Sequence, residues 1–329
     1  MKQDQLDALA EKIIEKIRAR PKHSFDPKKL AAVFKVNRED IITGLGRLQS
    51  WGYKFIADKN GFFSFDSAPD SMISTEISYR LKTKILGRRI YSWQSVQSTN
   101  TIASRLAALG APEGTLIVAE KQTRGRGRFG RSWHSPAGLG VYCSIILRPK
   151  ISPAQAPGIS LITAIAVAET ITAYGNIDVK IKWPNDILIA GKKAAGILTE
   201  LSAEIGRTNY VIVGLGININ HRQFHFPESL KKSSTSIRTG LKKEINRVEF
   251  FKKFLVNMEK EYLHFRKYGL AKSRTKILKF SSLINSPIIL KIGRKTVSGN
   301  VLDIDDIGRL VVETADGIKN FSAGEVTMH

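Results

Sequence analysis

Twelve consecutive residues constrain this chain more than any others: Gln122-Thr123-Arg124-Gly125-Arg126-Gly127-Arg128-Phe129-Gly130-Arg131-Ser132-Trp133. Four arginines alternate with three glycines directly after the strand-like run 115–119. Glycine lets a backbone approach a ligand and adopt positive φ. Arginine supplies planar, permanently charged donors that match phosphate and carboxylate oxygens in pairs. Without a ligand, four like charges on such a segment should repel one another and stay mobile; an anion would neutralise and order them. The segment reads as a loop that closes over a phosphate ester. A short RGG-type RNA-binding stretch is the alternative, but those usually repeat and this one does not. No GK[ST] follows, so it is not a Walker loop.

Three further segments carry chemistry. Lys182-Trp183-Pro184-Asn185-Asp186 places turn residues between two apolar runs, and Asp186 offers the hard oxygen ligand that a magnesium–nucleotide complex prefers. Lys193 then stands at the start of a strand, close to Gly196, where a small residue would admit a ligand; an ordinary surface lysine is the competing reading. In Gly214-Leu215-Gly216-Ile217-Asn218 two glycines interrupt a strand, a sign of a bulge or of close approach to a ligand. Ser98-Thr99-Asn100 precedes a helical stretch at 100–109 and on its own reads as a cap.

Around these motifs the chain changes character twice. Leu6, Leu9, Ile13, Ile14 and Ile17 recur at helical spacing. Asp26-Pro27 opens a second helix with Leu30, Ala31 and Phe34, and Asn37 opens a third with Ile41, Ile42, Leu45 and Leu48. Gly52 closes that helix, and two short runs flank Asn60-Gly61, a hairpin signal. Helices, a tight turn, a helix and a hairpin form the order of a winged helix-turn-helix, whose third helix would enter the major groove with Arg38 and Arg47. A helical protein-interaction module is the alternative, because that helix also carries Glu39 and Asp40 and two interior glycines, Gly44 and Gly46. Strands at 139–147, 187–189, 196–201 and 210–219 alternate with helices at 153–174 and 247–265 in the middle of the chain. Short strands separated by turns at Gly293, Gly308 and Gly317 close it, the pattern of a small β-barrel. The parse is therefore three domains, at 1–66, 67–281 and 282–329.

Composition narrows the partners. The 329 residues carry 52 Lys+Arg against 29 Asp+Glu, a net +23 that points to a polyanionic partner or a phosphate-bearing ligand. No apolar stretch is expected to approach the ~20 residues of a membrane span, and the charged N-terminus is unlike a secretory signal. One cysteine, Cys143 in an apolar run, excludes an internal disulfide framework and fits a reducing cytoplasm.

GRGRFGRSW, KWPNDILI, GKKAAGILTE and GLGINI, in this order, resemble the biotin protein ligase family, closest to its bifunctional members that also repress the biotin operon. The resemblance runs over essentially the whole chain. It implies an α+β architecture: a winged helix-turn-helix, a mixed α/β class II synthetase-like centre and an SH3-like barrel. It implies that Ser98, Thr99, Asn100, Gln122, Gly125, Arg126, Lys193, Gly196, Ile197, Gly214 and Gly216 form the biotin site. Arg128, Trp133, Asn185, Asp186 and Asn218 fall on the ATP side, with Asp186 toward Mg²⁺. Lys193, Arg128 and Arg126 are the residues expected to act in catalysis. Where the family loop often has arginine this chain has Phe129, and Arg124 adds a cation before the motif.

The implied reaction joins biotin to AMP at the expense of ATP. The biotin is then passed to a lysine of the biotin carboxyl carrier protein of acetyl-CoA carboxylase, with no tightly bound prosthetic group. The resemblance also implies dimerisation of the adenylate-bound enzyme on operator DNA. A lipoate-type ligase and a ligand-sensing repressor without ligase activity are the rival readings. No GxSxG motif or Cys/His pair suggests a covalent enzyme intermediate.

Overall fold

The computed structural model describes residues 3–328; Met1, Lys2 and His329, at the outer ends of the expected first and third domains, lie outside the described residues. The chain divides into two compact units, 1–71 and 72–329.

The first unit contains α1 (Gln3–Arg18), α2 (Pro27–Phe34), α3 (Arg38–Ser50) and the antiparallel pair β1 (Lys54–Ala57) and β2 (Phe63–Ser67). Asp26 caps α2 by accepting the Lys28 N–H at 2.8 Å, and the Asn37 N–H at the start of α3 donates to Asp40 at 3.1 Å. Ile13 and Ile17 of α1, Leu30 of α2, and Ile41 and Leu48 of α3 are buried, whereas Ile42 turns outward at 44% exposure. Gly44, a liability for an isolated helix, is where α1 crosses α3: a Cβ there would lie 2.7 Å from Ile13 Cδ1. Gly46 has nothing within 4 Å of such a Cβ, so packing gives no reason for it. Arg38 is exposed. Arg47, by contrast, forks onto Asp7 of α1 (2.7 and 3.2 Å) and lies over the Trp51 ring, so it helps hold the unit together.

The second unit runs α4 (Ser74–Ser78), β3 (Ile90–Val96), α5 (Thr99–Ala108), β4 (Leu116–Gln122), β5 (Gly140–Leu147), α6 (Ala156–Thr172), β6 (Val179–Lys182), β7 (Asp186–Ile189), β8 (Lys192–Glu204) and β9 (Arg207–Asn218). After these come α7 (Glu228–Lys231), α8 (Ile237–Leu241), α9 (Arg247–Tyr268), α10 (Arg274–Phe280) and five strands, β10 (Pro287–Ile292), β11 (Lys295–Ile304), β12 (Leu310–Thr314), β13 (Gly317–Phe321) and β14 (Glu325–Met328). Seven strands form a mixed sheet in the order β3-β4-β5-β9-β8-β7-β6, with only β3–β4 parallel. The interior strand β5 is buried at every residue, which explains its almost wholly apolar sequence. One face is covered by α5 through Ala103 and Ala107 against Ile117, Ile146 and Ile212. The helices α6 and α9 pack together against β5 and β8. Arg148 donates to the carbonyls of Ala107 and Ala111 (2.7 and 2.9 Å), anchoring the C-terminal end of α5.

The segment Pro153–Thr172 is, by length and composition, apolar enough to cross a membrane, contrary to the sequence expectation, but 78% of its most apolar window is buried within the protein. Two of its hydroxyls bond back to the helix, Thr163 to the Ile159 carbonyl (2.7 Å) and Thr170 to that of Ala166 (2.6 Å). Buried on nearly every side, the helix has no broad polar face to announce itself.

The last five strands form an antiparallel sheet, β13-β12-β11-β10-β14, within the same compact unit. Trp183 Nε1 donates to the Gly308 carbonyl (2.9 Å), locking this sheet to the turn before β7.

Candidate active site

The N-terminus of α5, the end of β4, the loop after it, the starts of β7 and β8 and the end of β9 surround a cavity of about 490 Å³. The segment 226–234 and the start of β14 complete its rim. Every residue expected from the sequence to handle biotin or ATP lines this cavity except Gly125, which is packed within the loop against the Trp133 carbonyl and Ser135.

Ser98-Thr99-Asn100 does more than cap a helix. Ser98 is in the N-cap position but its side chain makes no capping bond. The N–H of Thr99 donates to Gln122 Oε1 (2.9 Å), and the neighbouring polar side chains join the same network. The Thr99 hydroxyl also reaches Gln122 Oε1 (3.2 Å). Ser144 Oγ donates to Asn100 Oδ1 (2.6 Å) and lies 2.8 Å from Thr99 Oγ1. Gln122 Nε2 continues to Ser135 Oγ (3.1 Å). A buried network satisfied in this way holds its members in one orientation.

The glycines are explained by what lies on them. Gly196 and Gly216 are register partners on β8 and β9. A Cβ at Gly216 would stand 2.3 Å from Trp133 Nε1, and one at Gly196 would stand 2.9 Å from Trp133 Cζ3, so the indole lies on a floor without side chains. That indole N–H is buried with no hydrogen-bond partner among the described residues, leaving a donor for a ligand. Gly214 supports the Asn100 amide in the same manner. The ladder from 211 to 217 is regular, so close approach and not a bulge accounts for both β9 glycines.

The loop is a tight hairpin. Trp133 N–H donates to the Gly125 carbonyl (2.8 Å) and Gly127 N–H to that of Arg131 (2.6 Å). At its tip Phe129, 62% exposed, adopts φ 55°, a conformation that favours glycine. The expected repulsion among the arginines is relieved by partners from elsewhere. Arg126 pairs with Glu200 (2.9 Å), Arg131 with Glu325, and Arg128 donates to Asn185 Oδ1 (2.9 Å). Burial lowers the pKa of Arg128, an effect opposed by the charges of Asp186 and Glu325.

Lys193 sits 2.7 Å from Asp186 Oδ1 and 5.4 Å from the centre of the Trp133 ring. Its N–H donates to Ser233 and its carbonyl accepts from Thr235, both at 2.9 Å, so its backbone is clamped by a segment far along the chain. Asn185 bonds through Nδ2 to the Ile197 carbonyl (2.9 Å), and Asn218 commits its Nδ2 to the carbonyl of Thr235 (3.0 Å). Two amides expected on the nucleotide side thus also hold the walls in place.

Sequence reasoning missed Phe226, Ser233, Ser234 and Glu325, which line the cavity, and Ser144, Glu200 and Thr235, which bond to residues that line it, because each comes there only through tertiary pairing. It also missed His134, which lines the cavity, and His221, which is buried behind it. His134 Nε2 lies 2.9 Å from the His225 carbonyl, tying the arginine loop to the 226–234 segment. His221 is fully buried, stacked on Phe226 with 5.1 Å between ring centres. Burial first, then the charges of His134, His225 and Arg247, push its pKa down to about 3. An unfolded histidine titrates near ~6.5, so from about pH 6.5 down to about 3 the unfolded chain takes up a proton that folded His221 refuses. Its contribution to stability is therefore complete above that window and is lost as pH falls through it. Melting temperatures of His221→Phe should drop less than those of the parent between about pH 7 and 5; parallel decline would clear His221 of the effect.

Known proteins resemble this chain over most of its length. Residues 92–218 match the Biotin/lipoate A/B protein ligase family, and residues 283–328 match the Biotin protein ligase C terminal domain. The bifunctional ligase/repressor BirA of Bacillus subtilis is 36% identical over 300 residues, 91% of this chain and 92% of the relative. Its namesake from Escherichia coli is 33% identical over 71% of this chain and 72% of the relative. Among solved structures, the biotin protein ligase of Aquifex aeolicus in complex with biotin and ATP superposes with a TM-score of 0.63 at 30% identity, covering 74% of this chain and 99% of the other.

Proposed function

The chain belongs to the biotin protein ligase family, and from that premise we propose how its own residues carry out the activation of biotin by ATP and its transfer to protein. The observation that carries the reading is the meeting of Lys193, the arginine loop and the glycine floor in one cavity.

In the first step a biotin carboxylate oxygen attacks the α-phosphorus of ATP. The new O–P bond forms as the bond to the bridging oxygen of pyrophosphate breaks. Two anions must approach each other, so the site's task is electrostatic. Lys193 lines the cavity beside Asp186, and its ammonium exchanges that carboxylate for the reacting oxygens. Arg128 serves the phosphates, while Arg126, Gln122, Ser98, Thr99 and Asn100 hold biotin with Gly125, Gly196, Ile197, Gly214 and Gly216 shaping its slot. Trp133 and Asn218 border the nucleotide beside Asn185. In the second step a neutral lysine amine attacks the carbonyl of the mixed anhydride; AMP leaves with the bonding pair and the amine loses a proton. The closed loop keeps water from the anhydride meanwhile.

Among the described residues no cluster of three His, Cys, Asp or Glu side chains could hold a metal. Asp186, at the cavity wall, is the carboxylate that would hold a magnesium ion brought by ATP. Bound there it would neutralise phosphate charge.

We read the first unit as a winged helix-turn-helix and the C-terminal sheet as an SH3-like barrel. The ligase acceptor is a carrier-protein lysine, and the adenylate-bound enzyme pairs with a second copy on operator DNA. The bifunctional relatives that span 91% of this chain favour a DNA-binding role. Charge does not single out the first unit: residues 1–71 hold 13 Lys+Arg against 10 Asp+Glu, so most of the +23 lies in the second unit. Arg38 remains as the contact from α3, with Arg47 acting through the fold.

Incubation with biotin, ATP and magnesium, followed by mass analysis, should yield biotinyl-AMP and, with a biotin carrier domain, one added biotin on a lysine. Product from lipoate instead, or biotin binding without adenylate, would overturn the reading. Adding duplex operator DNA to the same preparation should give a retarded band that weakens steeply with salt.

A further inference from the structure

Glu200 belongs to none of the roles above, yet it touches two of the groups assigned to biotin. It lies on β8 on the same face as Gly196 and Leu198, four and two residues from it, because strand side chains alternate between faces. One of its oxygens, Oε2, accepts from Arg126 (2.9 Å) and from Asn100 Nδ2 (2.7 Å). Asn100 is 3% exposed, and its other amide atom takes the Ser144 hydroxyl. With oxygen toward Ser144 and nitrogen toward Glu200, the carboxamide has one orientation. It rests on Gly214, where no side chain holds it from below. From Ser144 the bonds continue through Thr99 to Gln122 at the root of the loop. The loop is therefore joined to the cavity floor twice, through Gln122 at its base and through Glu200 at Arg126.

We propose that Glu200 is a positioning residue for biotin, a single carboxylate that sets the Asn100 amide and holds Arg126 of the loop over the same end of the cavity. The proposal rests on the ligase reading. Its charge serves Arg126 and its acceptor oxygen serves Asn100, so the two tasks separate by substitution. Glu200→Ala removes both. Glu200→Gln keeps an oxygen for Asn100 and removes the charge that Arg126 pairs with.

The experiment measures the KM for biotin, the KM for ATP, kcat and the escape of free biotinyl-AMP in the parent and both variants, with melting temperatures alongside. Glu200→Ala should raise the biotin KM about tenfold, the cost of stripping a buried amide of its shorter acceptor and leaving it the Leu198 carbonyl alone, and leave the ATP KM unchanged. Glu200→Gln should bring the biotin KM back to within about threefold of the parent, while biotinyl-AMP escape stays elevated as in Glu200→Ala. Unchanged biotin KM and escape in both variants would overturn the proposal. So would equal rises in both KM values with a lowered melting temperature, the mark of a purely structural residue. A parent enzyme that makes no biotinyl-AMP would instead sink the ligase reading, and the proposal with it.

Discussion

Lys193→Ala should lower biotin-dependent pyrophosphate exchange by about 10²- to 10³-fold, the loss typical of removing one preorganised charge or donor from a developing transition state. The lysine differs from an ordinary surface lysine in three respects. Its backbone is bonded to Ser233 and Thr235, its ammonium is paired with Asp186, and its side chain crosses the Trp133 indole. The pair with Asp186 is partly exposed, with side chains 35% and 24% accessible, so its loss should change stability by only about 0–1 kcal/mol. Activity and melting temperature should thus part company. Exchange at the parental rate would remove Lys193 from the chemistry, and a collapse of the melting transition would make it structural.

Gly214→Ala should weaken biotin binding about 10- to 100-fold, as overpacking a built site does. A methyl group there would stand 2.1 Å from Asn100 Oδ1 and 2.8 Å from Nδ2, so the amide must leave its place between Ser144 and Glu200. The backbone has no reason to fail, because the glycine adopts no left-handed conformation and its ladder with β5 and β8 is regular. Calorimetric titration with biotin is the measurement, and Gly46→Ala, with open space around the added carbon, is its control. Equal affinities in parent and Gly214→Ala would mean that Asn100 is not part of the biotin site.

Much of the catalytic region was legible because its motifs are local. Loop glycines, the turn at Pro184-Asn185-Asp186 and the lysine beside Gly196 each announce a departure from ordinary strand or helix within a few residues. The apolar runs of β5 and β9 declared a buried sheet for the same reason. Less legible was β3, half-buried and parallel to β4, since its pairing depends on a crossover through α5 that no short window contains. Buried on nearly every side, α6 had no periodicity to expose it and met the composition test for a membrane span.

The sequence by itself determined which residue types meet at the cavity: small ones where something must lie close, cations where anions must be brought together. Only the tertiary structure decided what those residues do before a ligand arrives. Glu200 and Glu325 claim arginines that seemed fated to repel one another, and Asp186 claims Lys193. Arg47 turns inward to Asp7. Hydrogen bonds and ion pairs act over about 3 Å, and the fold sets that distance between residues that lie 40 or 74 positions apart in the chain.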